Sequence, residues 1–184
     1  MKTKLLITTI LITFFCAGQM WAQEQVTAAR QGSKINVYIN DNFFARYVFS
    51  EDEKYPFFYP VNGPSGASVV SMRTHPYPHH SGLFLACDRV NGGNYWQEGL
   101  ERGRIKSVRA EIIEEEGEQV ILENECVWAR PGANAPIKDF RRITISAPSE
   151  EMFQIDFDIT LQMLEDVEIK KTGHSLFSGR MDPD

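Results

Sequence analysis

Apolar and polar residues alternate strictly from Phe153 to Met163, a segment that reads FQIDFDITLQM. All six odd-numbered positions are apolar and all five even-numbered positions are polar. Because successive side chains of a β-strand point to opposite faces, this pattern predicts a strand with one buried face and one wet face. A strand of this kind is typical of an antiparallel sheet that covers a core on one side only.

Further β patterns accompany this strand. Two strand-like runs within residues 34–49 flank Asn40-Asp41-Asn42, which predicts a hairpin with a short turn. Other strands are expected over Val108–Glu114, Gln119–Trp128 and Phe140–Ala147. The acidic residues Glu114 to Glu116, with Glu118, are predicted to form a solvated hairpin tip. No window has the period of a long, capped helix, so the chain is predicted to be all-β, an antiparallel β-sandwich or barrel.

The first residues have a different character. Lys2 and Lys4 precede an apolar run that ends near Ala17, which is typical of a secretory signal peptide cleaved after Ala22. The run has about 13 residues, whereas a membrane-spanning helix needs about 20, so no membrane anchoring is expected after cleavage. The sequence therefore predicts a signal peptide at residues 1–22, a single domain at residues 23–184, and a periplasmic or secreted location.

Charge and cysteine content narrow the classes of partner. Without the two lysines of residues 1–22, the remaining 162 residues carry 17 basic and 25 acidic side chains. Such a surface repels phosphate backbones and anionic lipids, so neither nucleic acid nor a membrane surface is an expected partner. Cys87 and Cys126 remain in a compartment that permits disulfides, and both a bridge and a pair of buried free thiols stay open.

Three of the four histidines lie in THPYPHHSGL, residues 74–83. The two prolines favour extended backbone, so His75 and His79 are not the helical pair of a metalloprotease. In an extended chain they lie about 13 Å apart, too far to share a zinc ion without a turn. Adjacent His79 and His80 are then expected to point to opposite sides, with one of them facing a cleft. Imidazole titrates near neutral pH, so this pair is a candidate general acid or base, and a purely structural loop is the alternative.

Aromatic and polar residues concentrate around this segment. Amphipathic aromatic rings with a few polar groups are typical of a concave ligand site. Trp96 is the strongest candidate for stacking on a sugar ring, whereas Phe57 and Phe58 are expected in the core. The candidate substrate-binding residues are Trp96, Asn91, Tyr95, Asp88 and Glu98. His174 stands alone in the sequence. It could approach the histidine loop in the folded chain, but a lone histidine is more often structural.

Three segments of the chain are informative when taken together: YPVNGPSG, HPYPHHSGLF and DRVNGGNYW. In this order they resemble the secreted bacterial family DUF6807, which is often labelled methane oxygenase PmoA. The resemblance covers about residues 30 to 184. It implies a secreted β-sandwich, similar in fold to part of the sugar mutarotase-like supersandwiches. Members of the family run longer, so the chain is expected to be a truncated version of the domain.

The leading functional hypothesis is acid/base catalysis on a carbohydrate, of epimerase, lyase or hydrolase type, with His79 and His80 as catalytic residues. The alternatives are a non-catalytic carbohydrate-binding module, a metal-dependent oxygenase as the family label suggests, and an inactive truncated fragment. No phosphate-binding loop, dinucleotide fingerprint or nucleophile elbow occurs. The cofactor stays unknown. No metal ligands are assigned.

Overall fold

The computed structural model describes residues 24–97 and 99–182, where the chain forms two antiparallel sheets. In chain order the strands are β1 (Val26–Gln31), β2 (Lys34–Ile39), β3 (Asn42–Val48), β4 (Phe57–Val61), β5 (Leu83–Cys87), β6 (Arg104–Glu114), β7 (Glu116–Gly117), β8 (Gln119–Ala129), β9 (Ile137–Ser149), β10 (Met152–Met163) and β11 (Ser175–Gly179). A short 3-10 helix at Leu100–Arg102 precedes β6. The predicted signal peptide lies outside the described residues.

The two sheets pack face to face. The seven-stranded sheet has the order β11-β5-β4-β3-β2-β1-β7, and the four-stranded sheet has the order β10-β9-β8-β6. Ile35, Val37 and Phe58 of the larger sheet are buried with Leu122 and Ile143 of the smaller one in one core cluster. The predicted all-β sandwich is confirmed. No helix of the described residues has the length and apolar character needed to cross a membrane.

The strongest sequence patterns match the strands. β2 and β3 form the predicted hairpin, and its turn residues Asn40 and Asp41 have φ angles of 48° and 63°. Both angles lie in the left-handed region that a two-residue hairpin turn requires. β10 spans the alternating segment, and its apolar face is half-buried because it is an edge strand. Met163, at the end of that face, is exposed.

The acidic segment between β6 and β8 does more than form a solvated tip. Its side chains are exposed, as predicted, but Glu116 and Gly117 pair with Thr27 and Val26 of β1. Because β6 and β8 belong to the smaller sheet and β1 to the larger one, this pairing ties the two sheets together at one edge.

Polar groups also connect the layers inside the core. Asn124 of β8 donates a hydrogen bond to the Tyr47 hydroxyl of β3 at 2.8 Å. Asp139 accepts hydrogen bonds from Arg141 Nε at 2.6 Å and from Trp128 Nε1 at 2.7 Å. All of these side chains are buried. Burial raises the pKa of the Tyr47 phenol above its usual range, so the hydroxyl stays neutral in this network.

The two cysteines of the described chain are free and buried. Cys87 ends β5 and Cys126 lies in β8, both within the second core cluster with Trp128. Burial raises the pKa of Cys87 to about 11 and that of Cys126 to about 12. Of the two possibilities left open by the sequence, the structure has the free thiols.

Candidate functional site

Strand β5 places chemically active residues at both of its ends. His79 and His80 precede it in the loop from β4, and Asp88 follows it directly. Gly82 makes the close approach of this loop possible. It has a φ of +59°, and a Cβ atom at this position would lie 1.9 Å from the carbonyl oxygen of Phe58. Only glycine fits there without movement of the neighbouring strand.

Turns rather than extended chain shape the histidine loop. The Tyr77 amide donates a hydrogen bond to the Thr74 carbonyl at 2.8 Å, and the His80 amide donates to the Tyr77 carbonyl at 3.2 Å. The Tyr55 hydroxyl donates to the His79 carbonyl and fixes the base of the loop. The expectation that His79 and His80 point to opposite sides is wrong, because these turns bring their rings to a centroid distance of 4.6 Å.

Both rings border a cleft of about 490 Å³. Its lining combines aromatic rings, imidazoles and one guanidinium group: Tyr77, His79, His80, Phe84, Trp96, Gln97, Gly173, His174, Ser178, Gly179 and Arg180. The volume lies within the range of pockets that hold small molecules. His79 also borders a second, smaller cleft of about 240 Å³ on its other side.

A histidine that the sequence left as a lone residue lies in the same cleft. His174 directly precedes β11, and the register of that strand pairs Ser175 with Cys87. His174 therefore comes to lie opposite Asp88, and its Nδ1 atom is 3.1 Å from Asp88 Oδ2. Asp88 is buried, whereas the side chain of His174 is 44% exposed. The carboxylate holds the imidazole at Nδ1, so Nε2 is the ring nitrogen left for a ligand.

The segment before His174 is anchored by the residues that follow Asp88. Asn91 Nδ2 donates to the Asp166 carbonyl and to Glu165 Oε1, both at 2.9 Å. Asn91 Oδ1 accepts a hydrogen bond from the Glu168 amide at 2.8 Å. Arg89 adds a bond to the Lys171 carbonyl at 2.9 Å. These contacts hold the connection from β10 to β11 and thereby the position of His174.

Trp96 packs against two of the cleft histidines. Its ring centroid lies 5.6 Å from that of His174, 6.3 Å from that of His80 and 5.0 Å from that of Phe84. Asn94 Oδ1 accepts hydrogen bonds from the Trp96 and Gln97 amides and orders this turn. The indole is 5% exposed, and its Nε1 atom is buried without a hydrogen-bond partner.

Comparison with known proteins identifies a family for this chain but no activity. The profile of a family of unknown function, DUF6807, matches residues 34–184. The chain belongs to the family DUF6807. No curated protein and no solved structure matches the chain. The expected likeness to mutarotase-like supersandwiches therefore stays a prediction.

The remaining candidates of this DUF6807 chain lie away from the cleft wall. Tyr95 is fully buried and packs on Trp128 at a centroid distance of 5.1 Å. Burial raises the pKa of its phenol, which has no hydrogen-bond partner. Asn91 anchors residues 165–168 through hydrogen bonds. Asp88 contacts His174 and does not itself line the cleft. Phe57 and Phe58 are in the core, as predicted. Glu98 lies outside the described residues.

Among the cleft residues that were not sequence candidates for the site, His174 and Arg180 have ionisable side chains. His174 precedes β11 and Arg180 follows it, and the neighbours of both are set by the pairing of β11 with β5, a strand far earlier in the chain. Local sequence holds no signal for such a contact. Within residues 24–97 and 99–182, no three His, Cys, Asp or Glu side chains are arranged to hold a metal ion.

Proposed function

We propose that the cleft is a saccharide-binding active site in which His174, oriented by Asp88, transfers protons. The observation that carries the proposal is the pair between His174 Nδ1 and Asp88 Oδ2 at 3.1 Å, placed beside an indole in a cleft of about 490 Å³. A carboxylate that binds one imidazole nitrogen sets the tautomer and the ring orientation, which leaves the other nitrogen ready for general acid or base chemistry.

His79 and His80 supply the second proton-transfer group. They border the same cleft as His174, and the ring of Trp96 packs against both His80 and His174. Reactions that remove one proton from a sugar and deliver another are served by two such groups in one cleft. The arrangement supports an epimerase, a lyase or a hydrolase, and His79 or His80 is the partner of His174 in each case.

Aromatic rings supply the binding surface. Trp96, Phe84 and Tyr77 line the cleft, and aromatic faces suit the apolar faces of sugar rings. The buried and unpartnered Nε1 of Trp96 is a hydrogen-bond donor that a sugar hydroxyl can satisfy. The same observation favours the second candidate, a non-catalytic carbohydrate-binding protein in which the histidines only shape the cleft.

Calorimetric titration and NMR spectroscopy with a panel of neutral and acidic saccharides separate the two candidates. Titration reports binding, while NMR in D₂O reports bond cleavage and exchange of carbon-bound protons. His174→Gln should lower turnover by about 100-fold or more and leave the affinity within about threefold. His75→Gln is the matched control, because His75 is exposed, lies in the same loop as His79 and does not line the cleft.

Each result has a consequence. Binding that depends on Trp96, with no turnover of any saccharide, would establish the binding protein and exclude catalysis. Equal turnover by the wild-type protein and His174→Gln would exclude His174 as the proton-transfer group. Stoichiometric copper or iron in the purified protein, required for activity, would favour the oxygenase suggested by the family label.

The proposed location is the periplasm or the medium. The signal-like segment at residues 1–22 supports it, and free, buried thiols are compatible with an oxidising compartment. Cell fractionation and mass spectrometry of the N-terminus test this part. A mature N-terminus near residue 23 in the periplasm or the medium is expected, and an uncleaved cytoplasmic chain would contradict it.

A further inference from the structure

The charge of the cleft differs from that of the whole chain. The chain has a net charge of −6, yet none of the described residues that line the cleft is acidic. Among the described residues of this lining, Arg180 alone carries a permanent charge, and that charge is positive. A concave site lined by one sign of charge concentrates ligands of the opposite sign. The lining therefore favours an anionic ligand over a neutral one.

Arg180 has unusual surroundings for a half-buried arginine. Its backbone is fixed on both sides, because its amide donates to the Gly82 carbonyl and its carbonyl accepts from the Ser71 amide, each at 2.8 Å. Its guanidinium group lies over the Tyr77 ring at 5.7 Å. Nε is buried and has no hydrogen-bond partner. Among the described residues no carboxylate forms a salt bridge with it, in contrast to buried Arg141, which pairs with Asp139.

A second unpartnered donor belongs to another residue that lines the cleft. Trp96 Nε1 is buried and makes no hydrogen bond. A buried donor without an acceptor costs free energy, so two such donors on residues that line one cleft favour a ligand that supplies acceptors. The fork of a guanidinium matches the two oxygens of a carboxylate, and such charge-assisted bonds are stronger than those to neutral hydroxyls.

We propose that the ligand of the cleft is a uronate, a saccharide with a carboxylate on its ring, and that Arg180 binds this carboxylate. This inference rests on the proposed function and narrows its substrate class. A carboxylate is favoured over a sulfate ester because it also explains the histidines. When a carboxylate is bound to arginine, the proton on the adjacent ring carbon becomes more acidic, which gives His174 a proton to remove.

The reaction then balances without a further reactant. Nε2 of His174 takes the proton, and the electron pair of the broken C–H bond moves toward the carboxylate. In an epimerase, His79 or His80 returns a proton to the same carbon from the opposite face. In a lyase, the pair forms a double bond with the neighbouring carbon, the glycosidic C–O bond breaks, and the leaving oxygen takes a proton from His79 or His80. Of the three reaction types, hydrolysis alone gains nothing from the carboxylate.

The test compares matched sugars by calorimetric titration. The probes are glucuronate, galacturonate and mannuronate, each with its neutral hexose and its hexose 6-sulfate, at low and at high salt. At least one uronate should bind about tenfold or more tightly than its hexose, and added salt should weaken this preference. Arg180→Gln should abolish the preference, whereas Arg102→Gln should retain it, because Arg102 is exposed and does not line the cleft.

Several results would overturn the inference. These are equal affinities for a uronate and its hexose, a preference for the sulfate ester, and a uronate preference that survives Arg180→Gln. Arg180→Lys keeps the positive charge but lacks the planar guanidinium, so its preference for the uronate should lie between those of the wild-type protein and Arg180→Gln. This variant also provides the test if Arg180→Gln does not fold. If neutral sugars are bound and turned over through His174 without a uronate preference, only this inference fails. If no saccharide binds, the proposed function fails with it.

Discussion

Asp88 and His174 are 86 residues apart in the sequence, and their side chains meet at 3.1 Å between Oδ2 and Nδ1. The antiparallel register of β11 on β5 brings them together. Ser175 pairs with Cys87, so His174, which precedes Ser175, lies opposite Asp88, which follows Cys87. The Asp88 amide also donates to the His174 carbonyl at 3.2 Å. Backbone pairing thus sets the geometry of the two side chains that the proposed chemistry requires.

Replacing the carboxylate of Asp88 with an amide should impair the chemical step more than binding. Asp88→Asn removes the charge behind His174, so the imidazole loses its fixed orientation and kcat should fall by about 100-fold. KM should change by less than about threefold, because Asp88 does not line the cleft. Steady-state kinetics on the saccharide found by titration measure both constants. A parallel rise of KM with unchanged kcat would show that Asp88 acts on binding instead.

Gly82→Ala should destabilise the fold strongly. The added methyl group meets the Phe58 carbonyl oxygen at 1.9 Å, and the residue has a φ of +59°. Gly32→Ala is the matched control, because Gly32 also has a φ of +59° but has no atom within 4 Å of its added Cβ. The control should cost about 1 kcal/mol through the left-handed backbone alone, and Gly82→Ala about 3 kcal/mol or more. Urea unfolding measures the difference, and equal costs would exclude the clash.

The buried ion pair between Arg141 and Asp139 should be far more sensitive than an exposed pair on the same sheet. Asp139→Asn leaves the guanidinium without its counter-charge in the core and should lower the free energy of unfolding by about 3–5 kcal/mol. Glu123→Gln breaks the exposed pair with Arg142 and should cost less than about 1 kcal/mol. Chemical unfolding of both variants measures the two values. Similar losses would mean that water reaches Arg141.

Alkaline pH should destabilise the protein through its thiols. Burial raises the pKa of Cys87 from 9.0 to about 11 and that of Cys126 from 9.0 to about 12. Above pH 9 the unfolded chain loses thiol protons that the folded chain retains, so the free energy of unfolding falls as the pH rises from about 9 toward 11 and 12. Below pH 9 this contribution is fully present.

Urea unfolding at pH 8 and at pH 10 measures this loss, and the double variant Cys87→Ala and Cys126→Ala should show a smaller one. Labelling with a maleimide at pH 8 gives an independent readout. The folded protein should react much more slowly than the unfolded chain, because both thiols are buried and protonated. Labelling of the folded protein at the rate of an exposed cysteine would contradict the burial.

The strands with regular patterns were predictable, and those in the loop-rich segment were not. The alternation in residues 153–163 identified β10, and the turn residues Asn40 and Asp41 identified the hairpin of β2 and β3. β4 and β5 lie among prolines, glycines and aromatic residues and have no clear alternation. Their β structure comes from pairing in the middle of the larger sheet, which a local pattern does not report.

Part of the candidate site was also predictable from the sequence. His79, His80 and Trp96 stood out because aromatic, histidine and glycine residues concentrate in one segment, and all three border the cleft. The relative direction of His79 and His80 was not predictable from proline content, since two turns fold the loop back. Asp88 was a candidate for binding substrate, and its place behind His174 depends on the pairing of β5 with β11.

The sequence by itself determined the all-β class, the strongest strands and the segment that carries His79, His80 and Trp96, because period, turn chemistry and composition are local properties. Only the tertiary structure decided that His174 and Arg180 join them, that Asp88 orients His174, and that Tyr95 belongs to the core. These relations depend on which strands pair and in which register. That choice is made by packing across the whole sheet, and it leaves no mark at the individual residues it brings together.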